Sequence, residues 1–490
     1  MFETINNLTS IHRNVNCSLS PRNKELLILA ALLILGLVTR FIGIGFQSIW
    51  IDEGSTFYYS HYTWDQFKTA DEPNSPLYYM MEGFFLDLLG QTEFGLRFAS
   101  AVAGALTIPL AYMISMRLFR SRPAAMVSAF LFLVSPVCLF YGQDARGYIL
   151  VLMLFMIQVL ILLKALETRK NVFWLLFVLV SVLQFGMHYS GIIGTFALYI
   201  YVFCVCCKEG ISKDRYRLFI QMMVSGILFL LLASPIMSFA FGAGVQNPSQ
   251  NRWSWCYIGI EFTINLLINF LFEIYFVFIF LILTIIGLYL CYRRQKDNAI
   301  LLAVIIIVPV TVSTLLSFWM NTAPRYVLCA TTGFYLIIPY FLTVIRPEAL
   351  MTKKCIAAIA VVLIIMAAVF LPAYYTEVTK EDFRTGAKVL EENVKEGDLV
   401  LYAVGSPNSV YASFSFYYDP VKDGIDTYGL FSNEDLWQYT DAFAYDNIYV
   451  LILADYDPLD YLLNVGSPDC ECICEAYRIT VFKITGPLPH

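Results

Sequence analysis

Two acids stand side by side in the segment SIWIDEGSTFYY, Asp52 and Glu53, directly after Trp50 and Ile51. A tryptophan and an aliphatic residue hold a turn at a membrane–water boundary, where a partly desolvated carboxylate keeps a raised proton affinity and can act as a base. The alternative for such a pair is two solvated loop carboxylates. A third acid, Asp144, lies in FYGQDARGY beside Arg146, and further arginines occur at Arg40, Arg97 and, in NTAPRYV, Arg325. Guanidinium forks match phosphate oxygens bidentately, so four arginines at one membrane face suit an anionic headgroup approaching from within the bilayer. Snorkelling to the interface is the alternative for each of them. His188, in FGMHYSG, suits metal ligation or phosphate orientation, and equally an ordinary hydrogen-bonded place at a helix end.

These groups need a frame that brings them to one face. The 490 residues are 59% hydrophobic and 14% charged, too little charge to cover a water-soluble fold of this length. The mean hydropathy of +0.66 is met only if lipid surrounds most of the chain. A net charge of -6 excludes a polynucleotide partner. Apolar windows of span length fall at 25–45, 97–118, 123–141, 148–166, 172–189, 190–207, 218–239, 270–291, 298–319, 326–345 and 355–373, about eleven helices, with a further short interfacial helix expected within 261–291. Alternate loops hold the cations: Arg22 and Lys24, Arg117 to Arg122, Arg169 and Lys170, Lys208 to Arg217, Arg293 to Lys296, and Lys353 and Lys354. By the positive-inside rule these loops and the segment 1–24 are cytoplasmic, and an odd span count leaves the C-terminus outside.

Two hydrophilic units then fall on the outer side, a first loop of about 46–96 and a tail of 374–490, with the transmembrane unit at 25–373 between the N-terminal segment and the tail. In the tail, DFRTGAKVLEENVKEGD reads as an amphipathic helix, and LVLYAV, NIYVLILADYD and YRITVFKIT read as strands, giving a small α/β domain. Cys470, Cys472 and Cys474 lack the two-residue gaps of zinc knuckles, so a disulfide or inert thiols are expected in preference to a metal.

The order WIDEGST, DEPNSPLYYMM, EFGLRFASAVAGALTIPLAYMISMRLF and SPVCLFYGQDARGYILVL, after a first apolar span, resembles the C-type (GT-C) glycosyltransferases, and within them the bacterial and archaeal protein O-mannosyltransferase and aminoarabinose-transferase branch. HYSG and APRYVL echo the same pattern more weakly. The resemblance implies a polytopic α-helical membrane protein of GT-C fold with an extracytoplasmic C-terminal α/β domain, in the cell membrane. It implies that Asp52 is the catalytic base, with Glu53 beside it and Asp144 as second acid, and that Arg97 and Arg325 lie near the carrier phosphate with Tyr326. Arg146 and Arg40 join that phosphate set by their place at the outer span ends. Glu72 and His188 resemble positions that hold a divalent metal in the aminoarabinose branch. Where relatives have His-Pro-Pro or Lys-Pro-Pro, this chain has Asn74, Ser75 and Pro76 before Leu77 and Tyr78, so its substrate loop departs from theirs.

The expected reaction is transfer of a sugar from a polyprenyl- or dolichyl-phosphate carrier to a glycan, lipid or protein acceptor, with inversion and no covalent enzyme intermediate. The competing reading is a multi-span transporter or lipid flippase, which would place polar residues at the bilayer midplane in broken, repeated helices.

Overall fold

The computed structural model describes residues 20–70, 74–208, 213–242, 256–344, 350–403, 407–430, 445–453 and 470–485. Glu72, most of the cytoplasmic segment assigned to 1–24, and Trp253 and Trp255 lie outside them.

The chain is mostly helical. Helix α1, Pro21–Phe41, begins where the Ser20 hydroxyl accepts from the Asn23 amide and Pro21 fills the first turn. Among the described residues, the loop after α1 holds three helices: α2 (Ile51–Ser60), the single turn α3 (Trp64–Phe67) and α4 (Pro76–Leu89). Helix α5, Glu93–Phe119, is 27 residues long, about 40 Å. It is the most enclosed of the long apolar helices, because its face of Ala99, Ala103, Gly104 and Ala111 lets neighbours approach closely. Helices α6 (Arg122–Val134) and α7 (Pro136–Gly142) meet at Ser135–Pro136 with a 58° bend, as expected where a proline denies the preceding turn a hydrogen bond.

Six helices follow: α8 (Tyr148–Thr168), α9 (Asn171–Met187), α10 (Gly191–Lys208), α11 (Lys213–Gly242), α12 (Gly259–Phe270) and α13 (Glu273–Arg294). Then come α14 (Lys296–Leu316), a 3-10 turn Pro324–Val327, α15 (Cys329–Ile337) running into a second 3-10 turn, and α16 (Leu350–Thr376). Among the described residues six helices are long and apolar enough to cross a membrane, namely α5, α8, α10, α11, α13 and α14, and the bent pair α6–α7 makes seven. That is fewer than the eleven windows of the sequence, although each window overlaps a helix. Helices α9 and α15 have 17 and 9 residues, and α1 carries Arg22, Lys24, Glu25 and Arg40 within its length. The stretch 261–291, where an extra short helix is expected, holds the end of one in α12.

After α16 the chain forms a smaller unit with its own core. Helix α17, Phe383–Asn393, lays Phe383, Ala387 and Leu390 on Val400 and Tyr402 of β1 (Leu399–Ala403) and Tyr449 and Leu451 of β3 (Asn447–Leu453). The sheet also contains β2 (Asp426–Leu430), β4 (Cys470–Ala476) and β5 (Ile479–Thr485), in the order β2-β1-β3-β5-β4, with β1 parallel to β2 and β3 and the other pairings antiparallel. The three strands and the helix read from the sequence are present; β2, β4 and helix α18 (Pro407–Ser415) are additions. Cys472 and Cys474 are free thiols on either side of a bulge in β4.

Helix α18 packs directly on α2. A Cβ at Gly54 would sit 1.9 Å from the Ser413 hydroxyl, so only glycine permits this approach, and Ser55 Oγ meets Ser409 Oγ at 2.8 Å alongside. The helix that carries Asp52 and Glu53 is thereby fixed from both sides.

Candidate active site

Asp52 and Glu53 open α2, where the helix dipole favours negative charge. Consecutive helical residues diverge by about 100°, and that divergence separates the two carboxylates. Glu53 points inward and is fully buried. Arg97 grips it as a fork, Nε to Oε1 and Nη2 to Oε2, both at 2.7 Å. The Ala145 amide donates to Oε1 at 2.8 Å and the Trp50 amide to Oε2 at 3.3 Å. Burial alone would raise the Glu53 pKa, but the charges of Arg97 and Lys380 more than offset it and hold the carboxyl at about 2.

Arg97 has no donor to spare. Its remaining N–H groups reach the carbonyls of Ile44 at 2.7 Å, Gln47 at 2.9 Å and Ser48 at 2.8 Å. Arg40 is likewise buried, with its head on the carbonyls of Leu133 at 2.8 Å and Phe132 at 2.7 Å, which the α6–α7 bend leaves open. Both arginines therefore serve as internal braces beneath the face that carries Asp52.

Lys380, on the segment joining α16 to α17, enters the same buried layer. Its Nζ lies 3.1 Å from Glu53 Oε1 and 3.0 Å from Asp144 Oδ1, over the Phe140 ring. Gln47 positions it by accepting from the amides of Thr379 at 3.1 Å and Lys380 at 3.3 Å, and Asp382 caps α17 just beyond. Asp144 Oδ1 also accepts from Trp50 Nε1 at 2.6 Å, while Oδ2 makes no hydrogen bond among the described residues. Burial pushes the Asp144 pKa up; Lys380 opposes that and the Glu53 charge adds to it.

The outer layer is more open. The Asp52 side chain is 27% exposed and its Oδ2 lies 3.6 Å from Arg325 Nη2. The Arg325 guanidinium sits 5.6 Å from the Tyr148 ring centre, 5.8 Å from that of Tyr326 and 5.9 Å from that of Trp50, a cage that orients a cation without neutralising it. Arg146 Nη1 donates to the Asp52 carbonyl at 3.2 Å and approaches Thr56 and Tyr79 hydroxyls at 3.4 Å. His188 ends α9, stacks on Tyr326 with ring centres 5.3 Å apart, and meets the Tyr148 ring at a tilt with centres 4.8 Å apart. Gly147 makes this meeting possible, since a Cβ there would stand 2.3 Å from the Met187 carbonyl.

Of the substrate-loop residues, the Asn74 carbonyl accepts from the Tyr189 hydroxyl at 3.3 Å, Pro76 starts α4, and Tyr78 is buried. One turn beyond Tyr78 lies Glu82, an acid with no special signal in the sequence. It is fully buried, and burial pushes its pKa to about 8, with the Tyr78 hydroxyl beside it offsetting a part.

Of the two metal positions implied by the resemblance, Glu72 lies outside the described residues and only His188 can be placed. Among the described residues no three His, Cys, Asp or Glu side chains gather. His188 Nδ1 is taken by Ser190, through the hydroxyl at 2.8 Å and the amide at 3.2 Å, and the charges nearest it are those of Arg146 and Arg325. Two guanidinium groups beside the ring do not fit a divalent cation.

The arrangement can take a proton at Asp52 and hold anionic oxygens at Arg325, with Arg146 behind them. Residues 71–239 match the family model of dolichyl-phosphate-mannose-protein mannosyltransferases. No curated protein matches the sequence. Among solved structures, the chain is similar to ArnT from Cupriavidus metallidurans in the apo state, at 13% identity and a TM-score of 0.61, over 95% of this chain and 98% of that one. It is equally similar to the same protein bound to undecaprenyl phosphate, at 13% identity and a TM-score of 0.60, over 95% of this chain and 99% of that one. The arabinofuranosyltransferase AftD from Mycobacteria matches at 12% identity and a TM-score of 0.50, over 96% of this chain and 42% of that one. The chain therefore shares the multi-span helical fold of the ArnT structures over nearly its whole length, and the mannosyltransferase model covers residues 71–239 of it.

Proposed function

We propose that the protein is a membrane glycosyltransferase that moves a sugar from a polyprenyl- or dolichyl-phosphate carrier to an acceptor hydroxyl on the outer face of the cell membrane. The observation that carries this is the pairing of a partly open carboxylate, Asp52, with a caged arginine, Arg325, 3.6 Å away, above a layer of buried ion pairs that fixes both. The match to the mannosyltransferase model and the undecaprenyl phosphate bound by the similar ArnT structure support the donor class.

In this reading the carrier tail lies among the spans and its phosphate rests on Arg325, with Arg146 and the Tyr326 hydroxyl beside it. Asp52 takes the proton from the acceptor hydroxyl as that oxygen forms a bond to the anomeric carbon. The bond from that carbon to the phosphate oxygen breaks, the carrier phosphate leaves with the electron pair, and Arg325 stabilises the charge where it develops. A single displacement inverts the anomeric centre. Phosphate leaves without help from an acid, so the protonated Glu82 is not required for departure. The Lys/Arg pattern supports an inside N-terminus, eleven spans and an outside C-terminal domain.

The transporter reading expects ionisable groups at the midplane of broken, repeated helices; here Asp52, Asp144, Arg146, Arg325 and Lys380 gather at one end of the bundle. Asp52→Asn in proteoliposomes with a labelled polyprenyl-phosphate sugar decides the matter. Transfer is expected to fall by about 10²–10⁴-fold with donor binding retained. Undiminished transfer in that variant removes Asp52 as the base.

A further inference from the structure

At the end of the bundle away from Asp52, helices α9 and α11 part around a cavity of about 490 Å³. Helix α9 spans about 25 Å from Asn171 to Met187, so the cavity, which begins at its first turn, belongs to the opposite membrane face from His188.

Its floor holds two polar groups with unmet hydrogen-bonding capacity. Trp174 is 4% exposed and Gln221 is 8% exposed, yet Trp174 Nε1 finds no acceptor and Gln221 Oε1 no donor among the described residues. The orientation of that amide is fixed, because Gln221 Nε2 donates to the Arg169 carbonyl at 2.9 Å and to Asn171 Oδ1 at 2.7 Å.

The rim supplies charge. Lys213 and Arg217 line the cavity one helical turn apart on α11, both exposed, and Arg217 commits Nη2 to the Arg169 carbonyl at 3.0 Å. Asp214 is the acid of that first turn, outnumbered by the two cations and by Arg169, Lys170 and Arg215 close by in the chain. Beyond the rim the walls turn apolar through Val178, Val224 and Leu228, and Leu175 and Ile220 face outward as exposed side chains on two helices read as spans. The cavity thus runs from a cationic mouth at headgroup depth to an apolar cleft open to the bilayer.

We propose that this cavity binds an acidic phospholipid of the leaflet opposite the Asp52 site. Lys213 and Arg217 take its phosphate, and an acyl chain lies along Val178 and Leu228, beside Trp174. The site stands apart from the proposed transfer reaction and does not rest on it.

The test uses the purified full chain in phosphatidylcholine nanodiscs with and without phosphatidylglycerol, read by thermal melting and by tryptophan quenching with brominated acyl chains. Brominated phosphatidylglycerol is expected to quench about twofold more than brominated phosphatidylcholine at equal mole fraction, and Trp174→Phe should remove the difference. Phosphatidylglycerol should raise the melting temperature of the parent protein but not of Lys213→Gln/Arg217→Gln, whose substitutions lie on exposed side chains. Equal quenching by the two lipids overturns the site, as does an equal melting gain in the double variant. A gain produced by polyprenyl phosphate and not by phosphatidylglycerol overturns the choice of ligand.

Discussion

The buried and open layers of the outer face contain the same chemical types, carboxylates and cations, but they use them differently. In the buried layer Glu53, Asp144, Arg97 and Lys380 satisfy one another at 2.7–3.1 Å, and Arg97 spends every donor on protein acceptors. In the open layer Asp52 and Arg325 stand 3.6 Å apart, partly exposed and flanked by rings. A neutralised pair deep in the protein fixes geometry, whereas a looser pair at the surface keeps capacity for a substrate. The adjacent acids of WIDEG therefore have separate tasks, set by a 100° turn of helix.

Several substitutions would break or sharpen this contrast. The largest effect on chemistry is expected from Asp52→Asn, which should lose about 10²–10⁴-fold in transfer while melting as the parent does. Glu53→Gln should do the reverse in kind: Arg97 and Lys380 keep buried charge without their partner, and stability should fall by about 3–5 kcal/mol. Denaturant or thermal unfolding in detergent measures it. If both variants lost only activity, or both only stability, the division into two layers would fail.

Lys380→Met should lower transfer by about tenfold, with Lys380→Arg restoring part of it. Asp144, already pushed up by burial, then loses its opposing cation, so the acid limb of the pH–rate profile should move to higher pH. An unshifted profile would make Lys380 a packing residue. Arg325→Lys should raise the apparent KM for donor several-fold by losing the planar fork; unchanged KM and kcat would remove it from phosphate binding.

The smallest expected effect concerns Glu82. Its folded pKa of about 8 lies above the ordinary glutamate value of 4.5, so the folded state binds the extra proton and stability drains away as pH rises between those values. Glu82→Gln should therefore melt higher than the parent, with the gap widening from about pH 5 to pH 8. A constant gap across that range would show that Glu82 does not titrate there.

Much of the site could be read from the chain because its polar groups stand out against apolar surroundings. Asp52, Glu53 and Asp144 were recognisable from their place at span ends, and Arg97 and Arg325 from theirs. Direction was not recognisable: a run of letters does not show that Glu53 turns inward onto Arg97 while Asp52 turns outward, nor that Arg40 braces the α6–α7 bend. Lys380 was missed because it lies 236 residues beyond Asp144, in TEVTKEDF, where a lysine reads as solvated. Helices α2 and α4, of 10 and 14 residues, are too short to fill a span window, and Glu82 carries no signal of its own in the sequence. Span windows located helices well, but hydropathy alone did not register the bend at Pro136 or the shortness of α15.

The most direct measurement is an experimental structure of the protein with a polyprenyl phosphate bound. Phosphate oxygens within about 3 Å of the Arg325 guanidinium, with the Glu53–Arg97 fork and the Lys380 bridge unchanged, are the predicted result. A phosphate seated on Arg97 or Lys380, with Glu53 displaced from either, would contradict the assignment of chemistry to the open layer.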